Sequence, residues 1–301
     1  MPRKITVATI SFSPGQGSLE ANRCRALELL DAAGAQHPDL VCLPEAVLNT
    51  GLGWDNWKDG AEPVPGPFSE ALAERARRYN TVVVAGMHAR AEGRFYNVAL
   101  VIDRQGRLIG AYRKIHLTID EMEAGLQPGG QPFVVETDFG RLGVAICYDI
   151  GWPAQWQAMA DQGAELVVWS AAYDGGFPLR SYAWTHLYYV VSSVRGDHSK
   201  IIDITGRELA STSRYSRLTT ARIDLEKEVF EIDYHVEKLL QVQTEMGDRV
   251  TAQGFSEEDI FTLESNDSDW PLARVKARFG LENLRDYLAR ATRAQDAARG
   301  H

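Results

Sequence analysis

Strand-length apolar runs that stop at a single polar residue, set between segments of helical period, constrain this chain more than any other feature. KITVATI (4–10) reads as a strand, LEANRCRALELLDAAGA (19–35) as an amphipathic helix, and DLVCLPE (39–45) as a buried strand that ends on a carboxylate. PFSEALAERARRYN (67–80) predicts a second helix and TVVVAGM (81–87) the next strand. FYNVALVID (95–103) and LIGAYRKIHL (108–117) follow with only RQGR between them, a hairpin connection.

The grammar repeats beyond residue 147. AQWQAMADQG leads into AELVVWS (164–170), LRSYAWTHLY into YVVSSV (189–194), and SKIIDI pairs with GRELAS across a turn. Helical crossovers mixed with hairpins predict an α/β fold of mixed sheets, not a pure βαβ alternation. From about Glu226 the chain turns charged and helix-forming, with Leu281, Leu284 and Leu288 at helical spacing. The expected division is a domain over 1–225 and a helical extension over 226–301, without strands, packing on that domain or on a neighbouring copy.

Composition narrows the partners. A formal charge of -9 argues against a nucleic-acid or anionic-membrane surface, which would need clustered Lys and Arg. No apolar run approaches the roughly 18 to 20 residues of a membrane span, and the N-terminal MPRKITVATISFSPG reads as a strand rather than a signal peptide. Cys24, Cys42 and Cys147 are odd in number and lack metal-type spacing, which fits free thiols in a reducing cytoplasm. No Gly-Lys pair, G-x-S-x-G elbow or H-E-x-x-H pair is present, and GLGWDN (51–56) lacks the third glycine of a dinucleotide loop. Neither a metal nor a cofactor is expected; the expected partners are a small molecule and further copies of the chain.

What remains is Glu45 closing LVCLPE, Lys114 in AYRKIHL and Cys147 closing LGVAIC, three strand ends of the kind where α/β proteins place ligands. A lone buried cysteine is more often a small hydrophobe, and Cys42 is read that way. Cys147 with a carboxylate and an ammonium is different. Attack on a carbonyl or nitrile carbon requires the thiolate, which a free cysteine of pKa near 8.5 supplies only to a few per cent at pH 7. Glu45 can take the proton if burial lifts its pKa toward roughly 6 to 7. Lys114 and the backbone N–H of Tyr148 can receive the oxyanion, a donor of this kind typically lowering the barrier by about 2.7 to 4 kcal/mol. His116 near Lys114 offers a competing Cys-His arrangement. Of Trp54, Trp57, Trp152 and Trp169, Trp152 is assigned to the substrate pocket for its nearness to Cys147.

LPEAVLNTG, YRKIH and GVAICYDIGWP, in this order, resemble the three signature blocks of the nitrilase superfamily, the carbon-nitrogen hydrolases, over roughly residues 4–225. The resemblance implies a four-layer α-β-β-α sandwich that pairs into homodimers or larger assemblies, and a Glu-Lys-Cys triad on Glu45, Lys114 and Cys147. It also implies a second glutamate before a Pro-Gly; TIDEMEAGLQPGG (118–130) offers Glu121 and Glu123, and the spacing to PGG favours Glu123. Cys-Tyr-Asp resembles amidases and carbamoylases, whereas nitrile-cleaving members have Cys-Trp-Glu. Carboxylate-reading members carry an Arg where this chain has Gly151 and a Glu where it has Ala154, which weakens the ω-amidase and N-carbamoyl amino acid readings. Arg180 and Arg195 are the candidates for replacing that Arg. The expected activity is hydrolysis of an amide or N-carbamoyl bond through a thioester, with nitrile hydrolysis, a silent binding or assembly member, and amine-intercepting transfer as alternatives.

Overall fold

The computed structural model describes residues 3–13, 17–232 and 235–300; Met1, Pro2 and His301, outer bounds of the expected domains, lie outside them. In chain order the first half supplies strands β1 (Lys4–Ile10), β2 (Leu40–Cys42), β3 (Val82–Ala91), β4 (Arg94–Ile102) and β5 (Leu108–Arg113) with helices α1 (Leu19–Gly34), α2 (Pro67–Tyr79) and α3 (Ile119–Glu123). Next come β6 (Phe133–Glu136), β7 (Arg141–Ile146), β8 (Leu166–Ala171), β9 (Tyr189–Val194), β10 (Lys200–Ile202), β11 (Glu208–Ser211) and β12 (Leu218–Asp224), with α4 (Pro153–Asp161) and α5 (Phe177–His186).

These strands form two six-stranded sheets, ordered β12-β1-β2-β3-β4-β5 and β11-β10-β9-β8-β7-β6. β1, β2 and β3 are parallel, as are β7, β8 and β9, and the flanking hairpins are antiparallel. The central strands are apolar on both faces because each is covered twice, by helices outside and by the other sheet inside. α1 and α2 bury Leu30, Ala33, Leu72 and Ala76 against β1–β4 residues such as Ile10, Val41 and Val83, and α4 and α5 lie against the second sheet. Between the sheets, small hydroxyl residues let backbones approach: Thr9 Oγ1 donates to Ser192 O at 2.6 Å, Ser193 Oγ to Ile10 O at 2.7 Å, and Ser170 Oγ to Leu43 O at 3.1 Å. The layered order is the expected α-β-β-α sandwich.

Chain contacts divide the molecule into residues 5–223 and a unit of residues 1–4 with 224–301. The latter contains β13 (Glu228–Glu231), β14 (Val250–Phe255) and β15 (Ile260–Ser265), paired β13-β15-β14, with α6 (Val236–Met246), α7 (Leu272–Phe279) and α8 (Leu284–Arg299). Its core holds Phe230, Val242, Phe261, Leu263 and Val275. The helical character of the tail is present, but its reading as strand-free is corrected. Val250–Phe255 and Ile260–Ser265 are short strands whose apolar content sits beside a charged Ser-Glu-Glu-Asp turn, and that turn masks the period in sequence.

Candidate active site

Glu45 stands three residues beyond β2, where the chain turns through Ala46 in the left-handed region (φ 42°). Gly86 of β3 makes the turn possible: a Cβ there would lie 2.5 Å from Glu45 Cα and 2.6 Å from Pro44 O. Lys114 follows β5 directly and is fixed through its backbone, its N–H donating to Asn97 O at 2.9 Å and its carbonyl accepting from Gly129 N at 2.8 Å. The Pro128-Gly129-Gly130 segment thus pins the lysine.

The side chain of Lys114 is 1% exposed. An ammonium so deep must spend its three donors on acceptors. Nζ donates to Glu45 Oε1 at 3.0 Å and to Glu121 Oε1 and Oε2 at 3.0 and 2.8 Å. Asn97 ties the carboxylates together, its Nδ2 donating to Glu45 Oε1 at 2.7 Å and Glu121 Oε1 at 2.8 Å.

Cys147 opens the 3-10 turn Cys147–Gly151 at the end of β7 and takes φ 46°, a conformation that costs an L-residue roughly 1–2 kcal/mol. The surrounding bonds hold it there. Asp149, fully buried, accepts from Ile146 N at 2.8 Å, Tyr112 Oη at 2.6 Å and His116 N at 2.9 Å, and Trp169 Nε1 donates to Cys147 O at 3.0 Å. Beyond burial, Glu45 and the backbone of Ala172 act on the thiol, the first raising and the second lowering its pKa.

Burial alone would raise the Glu45 carboxyl; the Lys114 and Arg195 cations and the bonds from Lys114 and Asn97 overcome it and hold the group at about 2. The expected lift toward neutrality is therefore corrected, because two cations outweigh desolvation. Burial and the Glu45 charge push the Cys147 thiol up. Burial works against the Lys114 ammonium, but Glu45, Cys147 and Glu121 raise it. The resting protonation state is thiol, carboxylate and ammonium.

These groups open onto a cavity of about 160 Å³ whose lining also includes Leu52, Trp54, Trp57, His88, Ala172 and Arg195. Glu45, Lys114 and Cys147 are brought together as expected of their strand ends. Glu123 is not: it is exposed, and Glu121 occupies the buried place beside Lys114. The reason is local. Thr118 and Glu121 form a capping box, Glu121 Oε2 accepting from Thr118 N at 2.8 Å and Thr118 Oγ1 from Glu121 N at 3.2 Å, so Glu121 faces inward. Two residues on, a helix has turned about 200°, which carries Glu123 to solvent.

Tyr148 and Trp152 are exposed side chains and are not among the described residues lining the cavity. Trp152 stacks on His116 at 3.9 Å, with Tyr148 edge-on at 5.2 Å; Trp54 and Trp57 wall the cavity instead. His116 is bonded to Asp149, 3.0 Å from Nδ1, which leaves the Cys-His arrangement without support. Sequence reasoning missed Asn97 and His88, although each is a lone polar residue inside an apolar strand. Among the described residues no group of three or more His, Cys, Asp and Glu side chains is arranged to hold a metal, and no helix is long and apolar enough to cross a membrane.

The family model described as carbon-nitrogen hydrolase matches residues 6–228. Omega-amidase NIT2 of Bos taurus is 30% identical over 237 residues, which are 68% of this chain and 84% of that protein, and the Homo sapiens protein of the same name is 29% identical over the same shares. Among solved structures, Nit3 of Saccharomyces cerevisiae superposes with a TM-score of 0.67 at 22% identity, covering 82% of this chain and 96% of Nit3. An amidase of Nesterenkonia superposes at 0.64 with 18% identity, covering 73% and 90%. With the family model spanning both sheets and every residue of the buried cluster, the chain belongs to the carbon-nitrogen hydrolases.

Proposed function

We propose that the protein hydrolyses the C–N bond of a small-molecule amide with Cys147 as nucleophile, Glu45 as general base and acid, and Lys114 as oxyanion partner. The observation that carries this reading is the convergence of a buried carboxylate, a buried ammonium and a thiol on one small cavity. Glu45 accepts the Sγ proton as sulfur adds to the carbonyl carbon. Bringing a raised thiol and a depressed carboxyl to transfer costs energy at rest, and the developing negative charge beside Lys114 offsets it. The Tyr148 N–H, in the first turn of a 3-10 helix and so without an intrahelical partner, is the second oxyanion donor. Collapse passes the proton from Glu45 to the leaving nitrogen and leaves a thioester. Glu45 then deprotonates water, which releases the acid and restores the thiol.

Glu121 acts through Lys114 and is a positioning residue, the role first assigned to Glu123. The omega-amidase names among the relatives favour an amide over a carbamoyl or nitrile substrate. A silent binding member would lack part of this cluster, and all of it is present. The reading includes a cytoplasmic homo-oligomer. It places the chemistry within residues 1–225, with 226–301 as an extension supplying none of these side chains.

Intact-protein mass spectrometry after incubation with short amides, carbamoyl compounds and nitriles tests the reading. An acyl adduct on Cys147 that decays in water, absent in Cys147→Ala, is the expected result. Undiminished hydrolysis by Cys147→Ala, or no adduct and no turnover with any compound, would overturn it.

A further inference from the structure

Arg195 directly follows β9 and lines the cavity, yet its side chain makes no hydrogen bond to any described residue. Its Nε is buried without a partner. Its one close charge is Glu45, with Nη2 3.7 Å from Oε2, beyond hydrogen-bond reach. That oxygen is itself buried and unpartnered, since Lys114 and Asn97 both bind Oε1. A guanidinium presents Nε and one Nη as a flat pair of donors matched to the two oxygens of a carboxylate. Here that edge is sheltered and unsatisfied.

Resting on the amide-hydrolase reading, we propose that Arg195 binds a carboxylate carried by the amide substrate, and that in doing so it is drawn away from Glu45. The arginine is then both the specificity-determining residue and a substrate-dependent control on the general base.

Position and space agree. Cys147 and Arg195 leave β7 and β9, which are separated only by β8. Two strand spacings put their backbones about 9–10 Å apart, and the arginine reaches back across part of that. The linker between amide and carboxylate is therefore only a few carbons long. Leu52, Trp54 and Trp57 offer it apolar walls, and a cavity of about 160 Å³ admits a molecule of such size. His88, 4% exposed with Nδ1 unpartnered, adds a buried polar atom to the cavity wall.

Charge supplies the control. Glu45 and Glu121 face one lysine, and Arg195 provides the second positive charge. Coulombic attraction to Arg195 is among the causes holding the Glu45 carboxyl low. A substrate carboxylate that shares the guanidinium weakens that hold and makes Glu45 a stronger base when the correct substrate is in place.

The test compares the monoamide of a four-carbon dicarboxylic acid with its methyl ester, following ammonia release by wild type, Arg195→Gln and Arg195→Lys. Wild type is expected to favour the acid, and Arg195→Gln to lose about 10- to 100-fold in kcat/KM on the acid and clearly less on the ester. Arg195→Lys should recover part of the preference, because a point charge remains. For the base control, the acid limb of the ester's pH profile should move upward in Arg195→Gln. Equal losses on both substrates would overturn the proposal and leave Arg195 as a plain charge partner of Glu45. An unmoved acid limb would remove the base control. Binding of the free diacid to Cys147→Ala by calorimetry, weakened at least tenfold by adding Arg195→Gln, gives a readout independent of turnover. Unchanged binding would also overturn the proposal. Failure of the hydrolase reading looks different: wild type would cleave neither compound and form no adduct on Cys147.

Discussion

Lys114 grips Glu121 through both carboxylate oxygens, at 3.0 and 2.8 Å, and Glu45 through one, at 3.0 Å. The bidentate partner is thus the glutamate proposed to position the lysine. Glu121→Gln removes that charge and leaves a buried ammonium facing one carboxylate, a class of change that costs about 3–5 kcal/mol. Urea unfolding should register such a loss, and kcat should fall well below what the folded fraction explains. Glu123→Gln should stay within about 0.5 kcal/mol of wild type with unchanged kcat, as an exposed side chain does. A reversal of the two results would return the role to Glu123.

Legibility in the sequence followed the range of the interaction. Glu45, Lys114 and Cys147 could be found because each ends an apolar run, and strand order alone brings such ends together. Glu121 is equally marked by the local Thr118-x-x-Glu121 capping box, whereas the spacing to Pro-Gly points two residues further on, to Glu123. Asn97 hides in FYNVALVID because an Asn in a buried strand looks the same in sequence whether it binds two carboxylates or a backbone. Arg195 could be named only as a candidate, since its approach to Glu45 depends on β9 packing across from β2 in the other sheet.

The pH dependence of stability has a defined direction. Glu45 titrates at about 2 in the folded protein against an ordinary 4.5. Its depressed value contributes stability that is complete above pH 4.5 and is lost as pH falls toward 2, roughly 3 kcal/mol in all. Lys114 is raised above its ordinary 10.5, so its contribution is complete below that value and is lost only at more alkaline pH. Between about pH 5 and 10 the pair adds no slope. The stability difference between wild type and Glu45→Gln should narrow by about 2 kcal/mol from pH 7 to pH 3. A difference that stays constant would contradict the depressed carboxyl.

Gly86 tests how tightly Glu45, the proposed base, is placed. In Gly86→Ala the new methyl meets the backbone of Pro44 and Glu45 at 2.6 and 2.5 Å, and neither can swing aside as a side-chain tip could. Overpacking of this kind costs about 1–3 kcal/mol or more. Because the displaced backbone carries Glu45, kcat should drop further than stability. Gly53→Ala is the control, since its Cβ meets nothing within 4 Å at an ordinary φ of -71°. Thermal melts and kcat for the two variants separate the effects, and equal behaviour would mean that the Glu45 turn is softer than its contacts imply.

Asp149 braces the turn that carries Cys147, the proposed nucleophile. Its Oδ2 accepts from Ile146 N and Tyr112 Oη, and its Oδ1 from His116 N. Those bonds brace both sides of Cys147, one on the strand before it and the others on the segment after Lys114. In Asp149→Asn one oxygen becomes an NH₂ group, which still donates to a hydroxyl but cannot accept from a backbone N–H. At least one buried amide is left unpaired, a cost of about 1–3 kcal/mol. Tyr112→Phe leaves both of these amides bonded to Asp149; it also takes the acceptor from Ile115 N and Gln155 Nε2, so it should lose stability too but keep most activity. The strained φ of Cys147 depends on these amide bonds, so Asp149→Asn should lower the rate of Cys147 acylation while Tyr112→Phe leaves it nearly intact. Acylation kinetics by mass spectrometry would distinguish this from simple destabilisation: if both variants acylate at the wild-type rate once corrected for folded fraction, Asp149 supports the fold and not the nucleophile.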